Sequence, residues 1–202
     1  TSFGLGPGNG SASHTPLDAP FFAAAAARRV DGAVVVGDTL TDEDAENLAT
    51  CGVPIVVLHK HVSAPSVCGV SADNERGARL ATEHLVSLGH RRIAYIGGGA
   101  AFPASRERRR GYRAAMRAAR LEAPDAYAYE ADFPTALASG RAASAALLAL
   151  PAPPTAMVCA SDRLAFGVIS AIQDAGLSVP GDVSIIGYDN LDYDEIIRPR
   201  LT

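Results

Sequence analysis

Apolar strand-like runs alternate with stretches of helical spacing along most of this chain. The runs are Gly32 to Val36, Pro54 to Leu58, Arg92 to Gly97, Ala156 to Ala160 and Val183 to Gly187. Short, rich in Val and Ile and without polar alternation, they predict parallel strands buried on both faces. Ala78, Ala81, Leu85 and Leu88 fall at helical spacing over Asn74 to Gly89, with Asp73 as the N-cap and Gly89 as the stop. Arg108 to Leu121, Ala136 to Leu150 and Leu164 to Gly176 have the same helical character. The repeated strand–helix order predicts an α/β fold with doubly wound parallel sheets, because parallel neighbours need helical crossovers. Pro151-Ala152-Pro153-Pro154 reads as a rigid break before a strand, not as a domain linker.

The last two strands frame the most informative stretch. Ser161-Asp162-Arg163 follows one, and Gly187-Tyr188-Asp189-Asn190 ends the other. An Asp and an Asn cannot belong to a buried apolar run. In an open α/β sheet ligands bind beyond the carboxyl ends of the strands, so this polar pair is a site candidate for a small molecule. The beginning of the chain is abnormal for such a fold. Thr1 to Gly10 can carry a short first strand, the Gly, Ser, His and Pro residues that follow predict a loop up to Pro20, and Phe21-Phe22 opens an Ala run that reaches Arg28-Arg29 and enters the strand after Asp31 directly. That run is too short for a helix, a return strand and a second helix, since one crossover needs about 10 to 12 residues. A helix start, a linker and an altered stretch all fit it, and the residues leave that choice open.

Composition narrows the class. With 202 residues, 48% hydrophobic and 20% charged, the chain can bury the core of one domain or two modest lobes. A formal net charge of −4 gives no general pull toward nucleic acid. Cys51, Cys68 and Cys159 are an odd set without CxxC spacing, which argues against a disulfide framework or a zinc site and predicts a reducing, cytoplasmic location. No apolar run approaches the roughly 18 residues of a membrane span, so no membrane association is expected. Gly97-Gly98-Gly99 lacks the GxGxxG spacing of a dinucleotide fold and reads as a tight turn. There is no GxSxG elbow, HExxH or pair of catalytic carboxylates, and the five histidines read as surface residues. A non-enzymatic protein without cofactor or metal is expected.

Glu83-His84-Leu85-Val86-Ser87-Leu88-Gly89-His90-Arg91-Arg92-Ile93-Ala94, with Tyr188-Asp189-Asn190 further on, resembles the lactose-repressor and galactose-repressor (LacI/GalR) family of transcription regulators in their effector-binding domain. The resemblance runs from Val30 to Thr202. It implies two similar doubly wound parallel-sheet lobes of the periplasmic-binding-protein-like kind around a ligand cleft, with three hinge crossings. The first crossing would fall near Ser71, making 1–71 an incomplete N-terminal lobe and 72–202 the C-terminal lobe. The chain would begin its return at Pro199-Arg200-Leu201-Thr202. No helix-turn-helix headpiece precedes the first strand in these residues, so operator DNA is expected as a partner only through a headpiece absent from them. The implied function is effector sensing in a repressor: a small molecule, a sugar or related polyol, favours one lobe angle in a homodimer and changes the spacing of two headpieces. A periplasmic sugar-binding protein of a transporter is the alternative, ranked second because the His90-Arg91-Arg92 and Tyr188-Asp189-Asn190 contexts are those of repressors. An enzyme on this fold ranks third.

By the same resemblance, Phe21 and Phe22 match an aromatic pair that faces the cleft, where a flat ring can lie on a sugar face; a hydrophobic staple is an equal reading for Phe22. Asp38 follows a strand and can accept hydroxyl hydrogen bonds, with a helix-capping loop as its rival. His59 stands where the family often has an acidic residue, a departure that replaces an anionic acceptor by a group titrating near neutrality. Arg108 matches the arginine that grips ligand oxygens with a planar fork, whereas Arg106, Arg109 and Arg110 read as a solvated basic run. Phe133 matches a stacking aromatic of the second lobe, with core packing as its alternative. Ser161 would line the pocket and Asp162 cap the next helix; Asp189 would accept from ligand hydroxyls or ring N–H groups. Phe102 and Ala104 replace polar positions of purine-binding members, which favours a sugar. Phe166 and Ile197 would lie at the dimer interface, with core packing as the competing reading.

Overall fold

The computed structural model describes residues 27, 30–36, 40–50, 52–62, 67–99, 102–132, 135–195 and 197–202. Phe21, Phe22, Asp38, Cys51 and Phe133 lie outside the described residues. The chain divides into two compact units, Thr1–Ala72 with Ala101–Ala104, and Asp73–Ala100 with Ser105–Thr202.

In the first unit β1 (Ala33–Val36), β2 (Ile55–Leu58) and β3 (Val67–Val70) form a parallel sheet in that order, with α1 (Asp42–Ala49) between β1 and β2. Helix α1 begins with a reciprocal cap: Thr41 Oγ1 accepts from the Asp44 N–H at 3.1 Å, and the Asp44 carboxylate accepts from the Thr41 N–H at 2.7 Å. Val35, Leu40, Leu48, Ile55, Val57 and Val67 make the core. The expectation that every strand is buried on both faces fails at β1, where Val34 and Val36 are 67% and 53% exposed. Among the described residues this unit has one helix, which can cover only one face of its sheet.

The second unit is a four-stranded parallel sheet in the order β5-β4-β6-β7. Its elements run α2 (Asn74–Ser87), β4 (Ile93–Gly98), α3 (Pro103–Ala118, which belongs to this unit from Ser105 on), β5 (Ala128–Ala131), α4 (Ala136–Leu148), β6 (Ala156–Cys159), α5 (Asp162–Asp174) and β7 (Ser184–Ile186). The two inner strands β4 and β6 are buried almost throughout, which is why they read as continuous apolar runs. Edge strand β5, Ala-Tyr-Glu-Ala, exposes Glu130 and carries no such run.

Three local expectations change. Gly97 and Gly98 belong to β4 and not to a turn; a Cβ on Gly97 would come within 2.6 Å of the Tyr95 ring, which lies over it. Tyr95 Oη donates to the Ser105 carbonyl at 3.0 Å, and Ser105 Oγ donates to the Gly98 carbonyl at 2.8 Å, so the start of α3 is tied to the end of β4. Helix α3 starts at Pro103, well before Arg108, because proline suits the first helical position and needs no N–H partner there. His90 is half-buried and not freely solvated: Nδ1 meets Thr155 Oγ1 at 2.9 Å and Nε2 meets Ser184 Oγ at 3.0 Å, joining the beginnings of β4, β6 and β7.

Helices α4 and α5 meet backbone to backbone. A Cβ on Gly140 would stand 2.3 Å from the Leu164 carbonyl oxygen, and one on Gly167 would stand 2.2 Å from that of Leu137. Two glycines facing each other are what lets the pair approach so closely.

Candidate functional site

After β4 the chain of the second unit turns to one side of the sheet, to β5, and after β6 to the other, to β7. The strand order therefore reverses between β4 and β6, the kind of switch point at which open α/β sheets bind ligands beyond the carboxyl ends of the strands. Arg108, early in α3, stands there. Its Nη1 donates to the Ala160 carbonyl just past β6, and its Nε donates to Asn74 Oδ1 at 2.9 Å. The guanidinium carbon lies 3.7 Å from the centroid of the Tyr188 ring, a cation–π contact, and Nη1 is 3.5 Å from Asp189 Oδ1.

This brace has a local origin. Asp73 caps α2 by accepting the Arg76 N–H at 3.0 Å, which places Asn74 in the first turn, 4% exposed. An amide both donates and accepts, so Asn74 joins a carboxylate to a guanidinium: Nδ2 donates to Glu107 Oε2 at 2.9 Å while Oδ1 takes Arg108. Helices α2 and α3 come close enough because Gly111 has no side chain; a Cβ there would be 2.0 Å from the Glu75 carbonyl oxygen. Gly77 plays the same part for Tyr188, whose Oη would lie 2.4 Å from a Cβ at 77.

The segment carrying Asp189 is held from below by Asp162. That carboxylate is 2% exposed and accepts the Tyr188 N–H at 2.7 Å and the Leu191 N–H at 2.9 Å. Between these two anchors Asp189 and Asn190 have φ of 120° and 59°, a conformation that costs a side-chain-bearing residue on the order of 1 kcal/mol or more. The expected cap role of Asp162 is therefore corrected. Ser161, extended at φ −157°, is the N-cap of α5 and accepts the Leu164 N–H at 3.4 Å, which frees Asp162 to face inward.

Burial raises the pKa of the Asp189 carboxyl, the Arg108 guanidinium opposes that shift, and the Asp162 charge adds to it. The 3.5 Å separation is long for a charge-assisted hydrogen bond, so the carboxylate keeps acceptor capacity. A ligand hydroxyl donating to Asp189 would favour its charged form, and donors left on Arg108 can take ligand oxygens.

Of the residues expected from sequence, the structure brings Arg108 and Asp189 together and sets Ser161 next to the Ala160 carbonyl that Arg108 engages. Ser161 is nearly buried, and its oxygen is occupied as a helix cap. His59 is an exposed residue of the first unit with φ 64°, its backbone N–H donating to the Val70 carbonyl at 2.8 Å. Phe166 is half-buried on α5, and Ile197 packs against the second unit's own core. Among the described residues no group of three or more His, Cys, Asp or Glu is placed to hold a metal, and no helix is long and apolar enough to cross a membrane.

Residues 82–202 match the model of the periplasmic binding protein-like domain. The HTH-type transcriptional repressor PurR of Actinobacillus pleuropneumoniae is 37% identical over 175 residues, 87% of this chain and 52% of that protein. Catabolite control protein A of Priestia megaterium is 34% identical over 176 residues, again 87% of this chain and 52% of that protein. A solved regulatory protein of the LacI family from Chloroflexus aggregans superimposes with a TM-score of 0.82 at 28% identity, covering 90% of this chain and 65% of the other. The chain belongs to the LacI/GalR family. It spans about half the length of these two relatives. In this LacI/GalR domain the fold is the periplasmic-binding-protein-like α/β architecture.

Sequence reasoning missed Asn74 and Tyr188 and gave Asp162 the wrong task. Two signals were present: Gly77, a glycine inside a helix of strong formers, and the pairing of a capping Asp73 with an amide directly after it. Nothing in the sequence pattern pointed to Asp162 as the anchor of a segment 26 residues further on.

Proposed function

We propose that this chain is the effector-sensing part of a LacI/GalR-type transcriptional repressor, in which a sugar or related polyol binds at Arg108 and Asp189. Binding shifts the population of conformations of the two units, taken as the N-terminal lobe 1–71 and the C-terminal lobe 72–202, and so changes the affinity of the whole homodimeric, cytoplasmic protein for operator DNA. The observation that carries this reading is a guanidinium held rigid by Asn74, Ala160 and Tyr188 beside a carboxylate with spare acceptor capacity. Such a donor–acceptor pair suits vicinal hydroxyls, which donate and accept at once. Phe21, Phe22, Asp38, His59, Phe133 and Ser161 complete the proposed ligand set, and Phe166 and Ile197 the proposed dimer contact. The name of the relative PurR, a transcriptional repressor, supports the regulatory part.

A thermal-shift screen of sugars, polyols and nucleobases finds the ligand, and calorimetry then tests the site. Arg108→Ala and Asp189→Ala should each weaken binding by about 1.5 to 3 kcal/mol per lost charged hydrogen bond while the fold survives. Unchanged affinity in both variants would remove the pair from the site.

A further inference from the structure

At the opposite edge of the second unit's sheet, where the parallel strands begin, lies a cavity of about 610 Å³ that the effector site does not use. This is within the range of small-molecule sites, roughly 300 to 1,000 Å³. Its floor is apolar, with Leu121, Tyr127 and Pro151 among its walls, and its polar wall holds Arg91, Arg92 and Arg120 against the single carboxylate of Glu122. Arg92 Nε donates to the Pro153 carbonyl at 2.9 Å, which fixes that side chain. Among the described residues no salt bridge engages Arg91 or Arg120.

Arg120 carries a second, independent signal. Helices α2, α3 and α5 all end in the same pair of backbone hydrogen bonds around one left-handed residue. For α2 and α5 that residue is Gly89 and Gly176, at φ 93° and 76°; for α3 it is Arg120, at φ 55°. An arginine at this position is less stable than glycine, and it sets a guanidinium-bearing side chain at the cavity wall.

We propose that this cavity is a second small-molecule site, for a compound with a carboxylate, sulfonate or phosphate on an apolar body. The anion lies against Arg91 and Arg120, where a planar fork matches its oxygens, and the body covers Leu121, Tyr127 and Pro151. The site does not depend on the Arg108 pair, so its test stands or falls separately from the effector reading.

The probe is 8-anilinonaphthalene-1-sulfonate, an aryl sulfonate whose fluorescence rises when its rings leave water. Titration of the 202-residue chain should show saturable one-to-one binding, displaced by naphthalene-1-sulfonate and not by uncharged 1-naphthol. The double variant Arg91→Gln, Arg120→Gly should lower the affinity at least tenfold. Arg120→Gly alone should keep or raise the melting midpoint, since glycine suits the left-handed position, so lost binding is not lost folding. In heteronuclear NMR, naphthalene-1-sulfonate should move the amides of Arg120 to Tyr127. Absence of saturable binding, equal affinity in the double variant, or equal displacement by 1-naphthol would each overturn the proposal.

Discussion

Replacing Asp162 by asparagine tests the support of the site without touching the groups proposed to meet a ligand. The wild-type carboxylate accepts two backbone N–H bonds, from Tyr188 at 2.7 Å and from Leu191 at 2.9 Å, and Gly187 leaves room for it, since a Cβ at 187 would stand 2.2 Å from Oδ1. An amide has one acceptor oxygen, so in Asp162→Asn one N–H loses its partner and faces an NH₂ group. Losing one charge-assisted bond costs about 1.5 to 3 kcal/mol, and the surviving bond weakens because its acceptor is neutral. Both N–H groups are half-buried, so water recovers part of this, and the expected loss is about 2 to 3 kcal/mol. All six tyrosines lie between Tyr95 and Tyr193 and there is no Trp, so tyrosine fluorescence follows the second unit alone during urea unfolding. With a slope of about 2 to 3 kcal/mol/M the midpoint should fall by about 1 M at unchanged slope. The amides of Tyr188 and Leu191 should lose hydrogen-exchange protection as well. A midpoint within about 0.2 M of wild type, or full protection at both amides, would refute the assignment of Asp162 as the anchor.

Three further outcomes are expected. Gly77→Ala should displace the Tyr188 ring, with a loss of about 1 to 3 kcal/mol in the same fluorescence assay and weaker effector binding by calorimetry; wild-type values in both would show that the ring is not seated on α2. Burial lowers the pKa of His90 from its ordinary value of 6.5, so the unfolded chain takes up a proton at this residue before the folded one does. Stability should therefore fall as pH drops from 7 through 6.5 toward the lower folded value, and His90→Gln, compared by melting midpoints between pH 7 and pH 5, should remove that part of the slope. Phe166→Glu should give a folded monomer in sedimentation if the side chain faces a second copy of the chain; a folded variant that stays dimeric would dismiss the interface.

Complete burial makes two strands of this fold legible, while β1 is legible from its Val run although Val34 and Val36 are exposed. Ile93 to Ile96 and Ala156 to Cys159 announce themselves because both faces of β4 and β6 are covered, so no polar residue interrupts them. Strands β3 and β5 stay hidden because Val-Cys-Gly-Val and Ala-Tyr-Glu-Ala carry no continuous apolar run, unlike the edge strands β1 and β7, and resemble any loop. At the site, Asp189 can be placed from its position after β7 and Arg108 from the family resemblance, whereas Asn74 and Tyr188 cannot. Their contacts exist because Gly77 and Gly111 let neighbouring segments approach, a relation between distant parts of the chain that no local periodicity encodes. Asp162 is misread for a related reason, as its partners are backbone groups and leave no trace in side-chain pattern.

The facing glycines of α4 and α5 bear on how a signal can leave the second unit. Gly140 sits against the Leu164 carbonyl and Gly167 against that of Leu137, so each helix is a stop for the other. A one-residue slide of about 1.5 Å would bring a neighbouring side chain into the space that only a hydrogen atom now fills. Shear between these two helices is thus closed as a route of adjustment within the second unit. A ligand proposed at Arg108 is therefore expected to act through the connection that leaves this unit near Ala72 more than through sliding of α4 on α5.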